Sequence, residues 1–418
     1  MLDDILAHRI NNKDGNSSET FKFEKIKRKK REVKNKYPNI SIIDMGVGEP
    51  DDRADDEVID VLNKEAKKME NRTYADNGIL DFKIEAINYL KNVYGVQGLD
   101  YNKNIIHGIG SKSILAMLPL CLINPGDIAI VTTPGYPIIA THTYYLGGEV
   151  FELPLEEKNN YLPDLDVVPN NILERAKILY LNYPNNPTGA VANRKFFKKV
   201  VDFAKANNVL VIHDAAYAAI TYDENKPLSF LSIDGAMDIG VEVHSLSKAF
   251  NMTGWRLAFI AGNEKIINAF GNVKDNMDSG QFKAIQKAGI QALRKIEITK
   301  NACQRYSRRL DLLVDALNEV GFNAKKPKGS FYCYVKSPIG ANNILFKSAE
   351  EAADYIIENA MISTVPWDEV GHYLRFSVTF EIGNQKEEDI INEMKKRLLS
   401  LNLKFWWTIK NMNEGKTP

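Results

Sequence analysis

Val243-His244-Ser245-Leu246-Ser247-Lys248, followed by Thr253-Gly254-Trp255-Arg256-Leu257, sets the terms for the rest of the chain. A β-prone run ends in Ser-Leu-Ser-Lys. An arginine returns just before a second apolar run, Leu257 to Ala261. That order predicts a lysine and an arginine close together at one rim of a sheet. A lysine held in a protein interior has a lowered pKa and becomes an amine nucleophile. An arginine opposite it can grip a phosphate through a forked pair of hydrogen bonds. In isolation the stretch reads equally well as a strand, a turn and a surface Lys/Arg pair.

One rival is specific. Ser245-x-x-Lys248 matches the S-x-x-K of serine β-lactamases and penicillin-binding proteins, which also need S-D-N and K-T-G. This chain has neither; its tail reads Lys416-Thr417-Pro418. Composition narrows the field further. The 418 residues are 44% hydrophobic and 26% charged, enough for a large core and for two domains or one large domain with an appendage. Basic and acidic residues both number 54, so nothing argues for nucleic acid or an anionic membrane as partner. Cys121, Cys303 and Cys333 are far apart and odd in number, which reads as reduced thiols. The histidines form no close ligand pair, so no metal site is expected. Met1-Leu2-Asp3-Asp4 has acids where a signal peptide wants bases. The longest apolar run, Ile114 to Ile123, holds Pro119 and is too short to span a bilayer. A soluble cytoplasmic protein is expected.

Along the chain, the basic run Lys25 to Lys36 reads as a solvated helix face, with Phe21, Phe23 and Ile26 as an apolar edge. Gly46-Val47-Gly48 suggests close backbone approach. Helices are expected from Asp55 to Met69 and from Leu80 to Tyr94, and a strand at Asn104 to His107. Gly108-Ile109-Gly110-Ser111-Lys112 then opens an apolar helix, whose free N–H groups suit an anion. Ser113 replaces the third glycine of a dinucleotide fingerprint, so a single phosphate fits better. Strands at Asp127–Thr132, Lys177–Leu181, Val209–His213 and Val241–His244, with a helix from Arg194 to Ala206, predict a largely parallel α/β sheet covered on both faces. Ligands collect beyond the carboxyl ends of such strands. There lie Pro134-Gly135-Tyr136-Pro137, Asn182 to Gly189, Asp214 to Tyr217 and Lys248. Phe282 to Val320 reads as one long helical tract leading to a smaller unit. That unit has strands at Gly329–Val335 and Tyr373–Ser377 and helices at Ala349–Ala360 and Lys386–Leu401. Trp406 and Trp407 suggest no role.

Together these clusters supply what pyridoxal phosphate chemistry needs. A buried carboxylate keeps the pyridine nitrogen protonated, and Asp214 is placed for that. Tyr217 and Asn186 suit the ring oxygen, and Tyr136 could stack on the ring. The phosphate would take Gly110, Ser111, Lys112, Ser245 and Arg256, and a substrate carboxylate would take Arg375.

Asn186-Pro187-Thr188-Gly189, Asp214-Ala215-Ala216-Tyr217, Ser245-Leu246-Ser247-Lys248 and Gly254-Trp255-Arg256 resemble the signature blocks of class I/II aminotransferases, the fold type I pyridoxal-phosphate enzymes. Gly46-Val47-Gly48-Glu49-Pro50, Tyr74, Pro134 to Pro137, Gly329-Ser330-Phe331-Tyr332 and Leu374-Arg375-Phe376 match further blocks in the same order, so the resemblance spans roughly residues 20 to 400. It implies a large domain, residues 58–311, with a mostly parallel sheet between helices, and a smaller α/β domain, residues 1–57 and 312–418, that includes an N-terminal arm. It implies Lys248 as the Schiff-base lysine and catalytic base, and Asp214 as the pyridinium partner. Tyr74, Gly110, Ser111, Lys112, Tyr136, Asn186, Tyr217, Ser245, Ser247 and Arg256 would be the other cofactor contacts. Gly48, Lys112, Tyr136, Asn186 and Arg375 would meet substrate. Tyr74 would reach the phosphate of a neighbouring subunit, so a homodimer with shared sites is implied.

Within that family, Phe21 to Ile26, Asp44 to Pro50, Tyr74 to Ile79 and Asn276-Met277-Asp278-Ser279-Gly280-Gln281 resemble LL-diaminopimelate aminotransferases, which implies LL-2,6-diaminopimelate and 2-oxoglutarate as substrates. Better-known members carry tyrosine where Phe21 aligns, so that hydroxyl contact would be lost. Alternatives with the same machinery are aspartate or aromatic aminotransferases and a C–S lyase. A regulator built on this fold would need a DNA-binding domain, and about forty polar residues before the first block are too few for a winged helix.

Overall fold

The computed structural model describes residues 5, 7, 9, 20–383 and 385–407, the side chains of residues 20 and 21 excepted. The loss of a hydroxyl contact expected at Phe21 therefore lies outside the described residues.

Successive side chains of a strand point to opposite faces. In Ile178-Leu179-Tyr180-Leu181 and Val211-Ile212, Leu179, Leu181 and Val211 join one apolar cluster, while Ile178, Tyr180 and Ile212 join another. Both faces are thus buried, which is why these strands read as near-continuous apolar runs. Seven strands form this sheet: β1 (Ile105–Gly108), β2 (Ile128–Thr133), β3 (Glu149–Pro154), β4 (Ala176–Asn182), β5 (Leu210–Asp214), β6 (Gly240–Ser245) and β7 (Ala258–Gly262). Their spatial order is β1-β7-β6-β5-β4-β2-β3. Neighbours are parallel except where β7 is involved. The edge strand β3 escaped the sequence reading because its half-exposed Glu-Val-Phe-Glu pattern lacks a buried strand's apolar run.

The reversal of β7 builds the rim. Gly108 at the end of β1 and Ser245 at the end of β6 both pair with Ala258 at the start of β7. Arg256, just before Ala258, therefore arrives beside Gly110 and Lys248.

The main helices are α1 (Thr20–Lys36), α2 (Asp56–Ala66), α3 (Leu80–Tyr94), α4 (Ser111–Leu122), α5 (Ile138–Tyr145), α6 (Arg194–Asn207), α7 (Glu264–Lys274), α8 (Lys283–Arg294), α9 (Glu297–Val320), α10 (Ala349–Ala360) and α11 (Glu387–Leu399). The long helical tract expected from Phe282 to Val320 divides into two helices, α8 and α9. Lys295 leaves helical geometry at φ −101°, ψ 69°. Its Nζ reaches back to Asp55 at 3.0 Å and Glu57 at 2.8 Å, at the start of α2. The break lets α8 lie along α2 and α3 while α9 turns away. No glycine or proline marks the site, so the cause is tertiary.

Beyond the break, α9 contributes Tyr306, Leu310, Leu313 and Leu317 to a separate core with Phe331, Leu374, Phe376, Ile356 and Ile391. That core backs an antiparallel sheet of β8 (Tyr332–Lys336), β9 (Val365–Trp367) and β10 (Tyr373–Ser377), in the order β9-β10-β8. Ile43–Asp44 pairs in parallel with Ile362–Ser363, tying the early chain to this unit. The face of α1 expected to be solvated is partly an ion-pair seam. Lys22 meets Glu369, Lys25 meets Glu350 at 2.9 Å, Lys29 meets Glu358 and Lys30 meets Asp44 at 2.6 Å. The spacing of Lys22, Lys25 and Lys29 puts them on one side of the helix. All three cysteines are free. Trp407 donates to the Gly321 carbonyl at 3.2 Å, and Trp406 is exposed. Among the described residues no helix is long and apolar enough to cross a membrane.

Candidate active site

Ser245 ends β6 and accepts a hydrogen bond from the Ser247 N–H at 3.1 Å, opening the helical turn Leu246–Ala249. That turn aims Lys248 into a cleft, where its Nζ donates to the Gly48 carbonyl at 2.6 Å. Burial pulls the amine down to about 8; the charge of Glu49 opposes this, and those of Arg256 and Arg375 add to it.

Arg256 sits in the left-handed region, at φ 56°. Its Nη1 donates to Thr253 O at 2.9 Å and lies 3.5 Å from Ser247 Oγ. Gly110, at φ 77°, caps α4, and a Cβ there would stand 2.1 Å from Arg256 Nη2. Only glycine allows the guanidinium to lie against the start of α4. Unpaired backbone N–H groups and an arginine meet at this point, with Ser111 beside them and Lys112 exposed on the lip. That combination could cradle a dianionic phosphate.

Asp214, at the end of β5, is 5% exposed. Its Oδ2 accepts from the Tyr180 hydroxyl at 3.1 Å and its Oδ1 from the Ala216 N–H at 3.1 Å. Burial raises this carboxyl, and the two hydrogen bonds only partly offset that. Neither partner is a cation, so the buried carboxylate suits a protonated ring nitrogen. Asn182 fixes the neighbouring loop: it donates to Asp214 O at 2.9 Å and accepts from the Asn186 N–H at 2.9 Å. On the opposite face of the sheet, fully buried Glu242 accepts from His213 Nδ1 at 2.8 Å, His244 Nε2 at 2.5 Å and Ser229 Oγ at 2.6 Å. Burial alone would raise Glu242, but His244 and His213 hold its carboxyl well below the usual range.

Arg375, on β10, is 1% exposed. It donates to Asn186 Oδ1 at 2.8 Å and to Gly46 O at 3.1 Å. Its guanidinium lies 4.0 Å over the Tyr332 ring and 5.9 Å from that of Phe23. The Tyr332 hydroxyl meets that of Tyr217 at 3.0 Å. Arg375 Nε is buried and has no protein partner among the described residues.

One cleft of about 1510 Å³ between the two sheets is lined by Gly48, Ser111, Lys112, Tyr136, Asn186, Asp214, Tyr217, Ser245, Ser247, Lys248, Arg256 and Arg375. Gly110 lies beneath Arg256. Tyr74 is not brought in: it is 80% exposed and does not line this cleft. Tyr180, Asn182 and Tyr332 had no role expected of them. Tyr180 and Asn182 sit within an apolar strand, and only their register beside β5 brings them onto Asp214. The residues present fit pyridoxal phosphate on three separate grounds: a buried carboxylate without a cation, an anion cradle that excludes a Cβ, and a lysine amine of lowered pKa.

Comparison with known proteins agrees with this arrangement. The chain is 56% identical over 414 residues to an LL-diaminopimelate aminotransferase of Methanocaldococcus jannaschii, covering 97% of this chain and 99% of that protein. It is 53% identical over 412 residues to the enzyme of the same name in Methanococcus maripaludis, with 97% and 99% covered. The solved structure of substrate-bound BacF from Bacillus subtilis superposes with a TM-score of 0.87 at 33% identity, over 96% of this chain and 98% of that one. Residues 40–386 match the aminotransferase class I and II family, and with both cleft and relatives in agreement, the chain belongs to that family.

Proposed function

We propose that this aminotransferase moves the amino group of LL-2,6-diaminopimelate to 2-oxoglutarate, using pyridoxal phosphate, as a cytoplasmic homodimer with shared sites. The observation that carries the reading is the meeting of Lys248, Asp214 and Arg375 in one cleft. The substrate assignment rests on near full-length likeness to two enzymes named for it. We further propose the division into a large domain, residues 58–311, and a small one, residues 1–57 and 312–418.

Pyridoxal phosphate, when bound, supplies an electron sink for the pair left at the substrate α-carbon. Lys248 would anchor it covalently. Gly110, Ser111, Lys112, Ser245, Ser247 and Arg256 would hold its phosphate, Tyr136 would cover its ring, and Asn186 and Tyr217 would bond its ring oxygen. Asp214 would keep a proton on the ring nitrogen. Tyr74 would complete the phosphate site of the neighbouring subunit.

Arg375 performs the positioning step. Its two terminal nitrogens, now on Asn186 and Gly46, form a fork that a carboxylate can take bidentately, and Tyr332 holds the fork in plane. Gly48, Lys112, Tyr136 and Asn186 would border the bound substrate. Lys248 Nζ, once free, would take the proton from the substrate α-carbon and deliver it to the cofactor carbon that carries the transferred nitrogen, as base and then acid. An amine whose pKa is near 8 exists in both forms close to neutral pH, which suits both tasks.

The test is a half-reaction: holoenzyme plus LL-diaminopimelate, without any oxo acid, followed by the yellow absorbance of the lysine-bound cofactor. Bleaching with diaminopimelate and not with aspartate or tyrosine is expected. Bleaching only with aspartate or an aromatic amino acid would overturn the substrate. Pyruvate release without an acceptor would overturn transamination in favour of C–S lysis.

A further inference from the structure

The loop that carries Tyr74 is held from beneath by buried polar side chains. Lys274 is 1% exposed. Its Nζ donates to the Asp76 carbonyl and to Asp278 Oδ1, the latter at 2.6 Å. Asn77 Nδ2 donates to Asp275 Oδ1 at 2.9 Å. Gly280 lies so close under the loop that a Cβ would stand 2.6 Å from the Ala75 carbonyl carbon. Segment 275–281 and the Tyr74 loop therefore form one packed unit.

Two glutamines join this unit to the phosphate arginine. Gln286 is fully buried. Its Oε1 accepts from the Ile79 N–H at 2.8 Å and its Nε2 donates to Gln281 O at 2.8 Å. The Gln281 side chain donates through Nε2 to Trp255 O at 2.7 Å and to Arg256 O at 2.8 Å. Those carbonyls flank the left-handed turn at Arg256, a conformation that persists only where surrounding structure holds it. Gln281 keeps both donor bonds although its Oε1 is buried with no partner among the described residues.

We propose that Gln281 and Gln286 are positioning residues that set Arg256 and the Tyr74 loop as one element. Cofactor bound in one subunit thereby orders the loop that completes its neighbour's site, and the two sites fill cooperatively. This rests on the reading of Tyr74 given above. No side chain in the path touches the reacting atoms.

The test titrates apoenzyme with pyridoxal phosphate, following absorbance, with dimer content measured by sedimentation. Gln286→Met and Gln281→Met should each raise the cofactor Kd about tenfold, within the usual range of coupling between sites, and reduce the Hill slope from above one to one. The KM for the amino donor, and kcat at saturating cofactor, should stay within about twofold. Tyr74→Phe should also weaken cofactor binding, and combined with Gln286→Met should add no further loss. A Kd within twofold of wild type in both glutamine variants, a non-cooperative wild type, or losses that multiply with Tyr74→Phe would overturn the coupling while leaving the role of Tyr74 intact. An unchanged Kd in Tyr74→Phe would instead remove the reading of Tyr74 and the proposal with it. Should Gln286→Met fail to fold, Gln281→Met, at the Arg256 end of the path, carries the test.

Discussion

Lys248, Asp214 and Arg256 stand at or just beyond the ends of hydrogen-bonded strands, whereas Arg375 meets groups from segments far apart in the chain: Gly46, Asn186 and the Phe23 ring. The first wall of the cleft inherits its geometry from sheet register. The second depends on two cores closing over each other and on a helix, α1, fastened mainly by ion pairs. The sheet wall is therefore suited to hold a cofactor, and the opposite wall, where Arg375 gathers groups from distant segments, is suited to receive substrate.

Breaking the sheet wall at Lys248 should have the largest effect. Lys248→Met should lower turnover by roughly 10⁴-fold, measured as the single-turnover rate, with circular dichroism unchanged. The same variant should strengthen the apoprotein. Folding depresses the Lys248 pKa from 10.5 to about 8, so between those values the unfolded chain binds more protons. Wild-type stability therefore rises with pH through that window, and the cost of a buried charge is fully present below about 8. Removing the amine should stabilise the apoprotein at pH 7 by on the order of 3 kcal/mol, with the gain gone above pH 10.5. Urea denaturation of both proteins at the two pH values checks this.

A paired measurement sharpens the contrast between the walls. Arg375→Lys loses the planar fork and should raise the KM for the amino donor about 10²-fold, leaving cofactor Kd within twofold. Asp214→Asn should instead lower kcat by about 10²–10³-fold with a smaller change in KM. If both variants moved the same constant, the division of labour would collapse. The smallest effect belongs to α1. Its Lys25–Glu350 pair is exposed and the other three are half-buried, so Glu350→Gln, or raising salt to about 0.5 M, should raise the KM by no more than about twofold.

The same contrast explains what could be read without coordinates. Strand ends carry local signals: an apolar run, then a polar cluster, then a helix. Those signals marked Asp214, Lys248 and the Gly110–Lys112 turn, and the expected helices Leu80–Tyr94 and Ala349–Ala360 agree with α3 and α10 to the residue. Arg375 carried a weaker signal, a single arginine in a strand of the smaller unit, and the order of family blocks strengthened it. Tyr180 looked like core because, by composition, it is; its hydroxyl matters only because β4 and β5 pair in one register. The break at Lys295 and, Lys30–Asp44 apart, the ion-pair seam of α1 depend on partners hundreds of residues away, and no window along the chain contains both members. Gln281 lay inside a quoted motif, yet its partners are backbone carbonyls, which have no letter in a sequence.

The reversed strand β7 also has a consequence for biogenesis. It fills the gap between β1 and β6, so β1 has no neighbour in the sheet until residues 258–262 have been synthesised. Arg256 leaves the ribosome with that strand. The step that closes the sheet is therefore the step that completes the proposed phosphate rim, and a nascent chain that stalls before Ala258 has an open sheet edge and an unfinished rim.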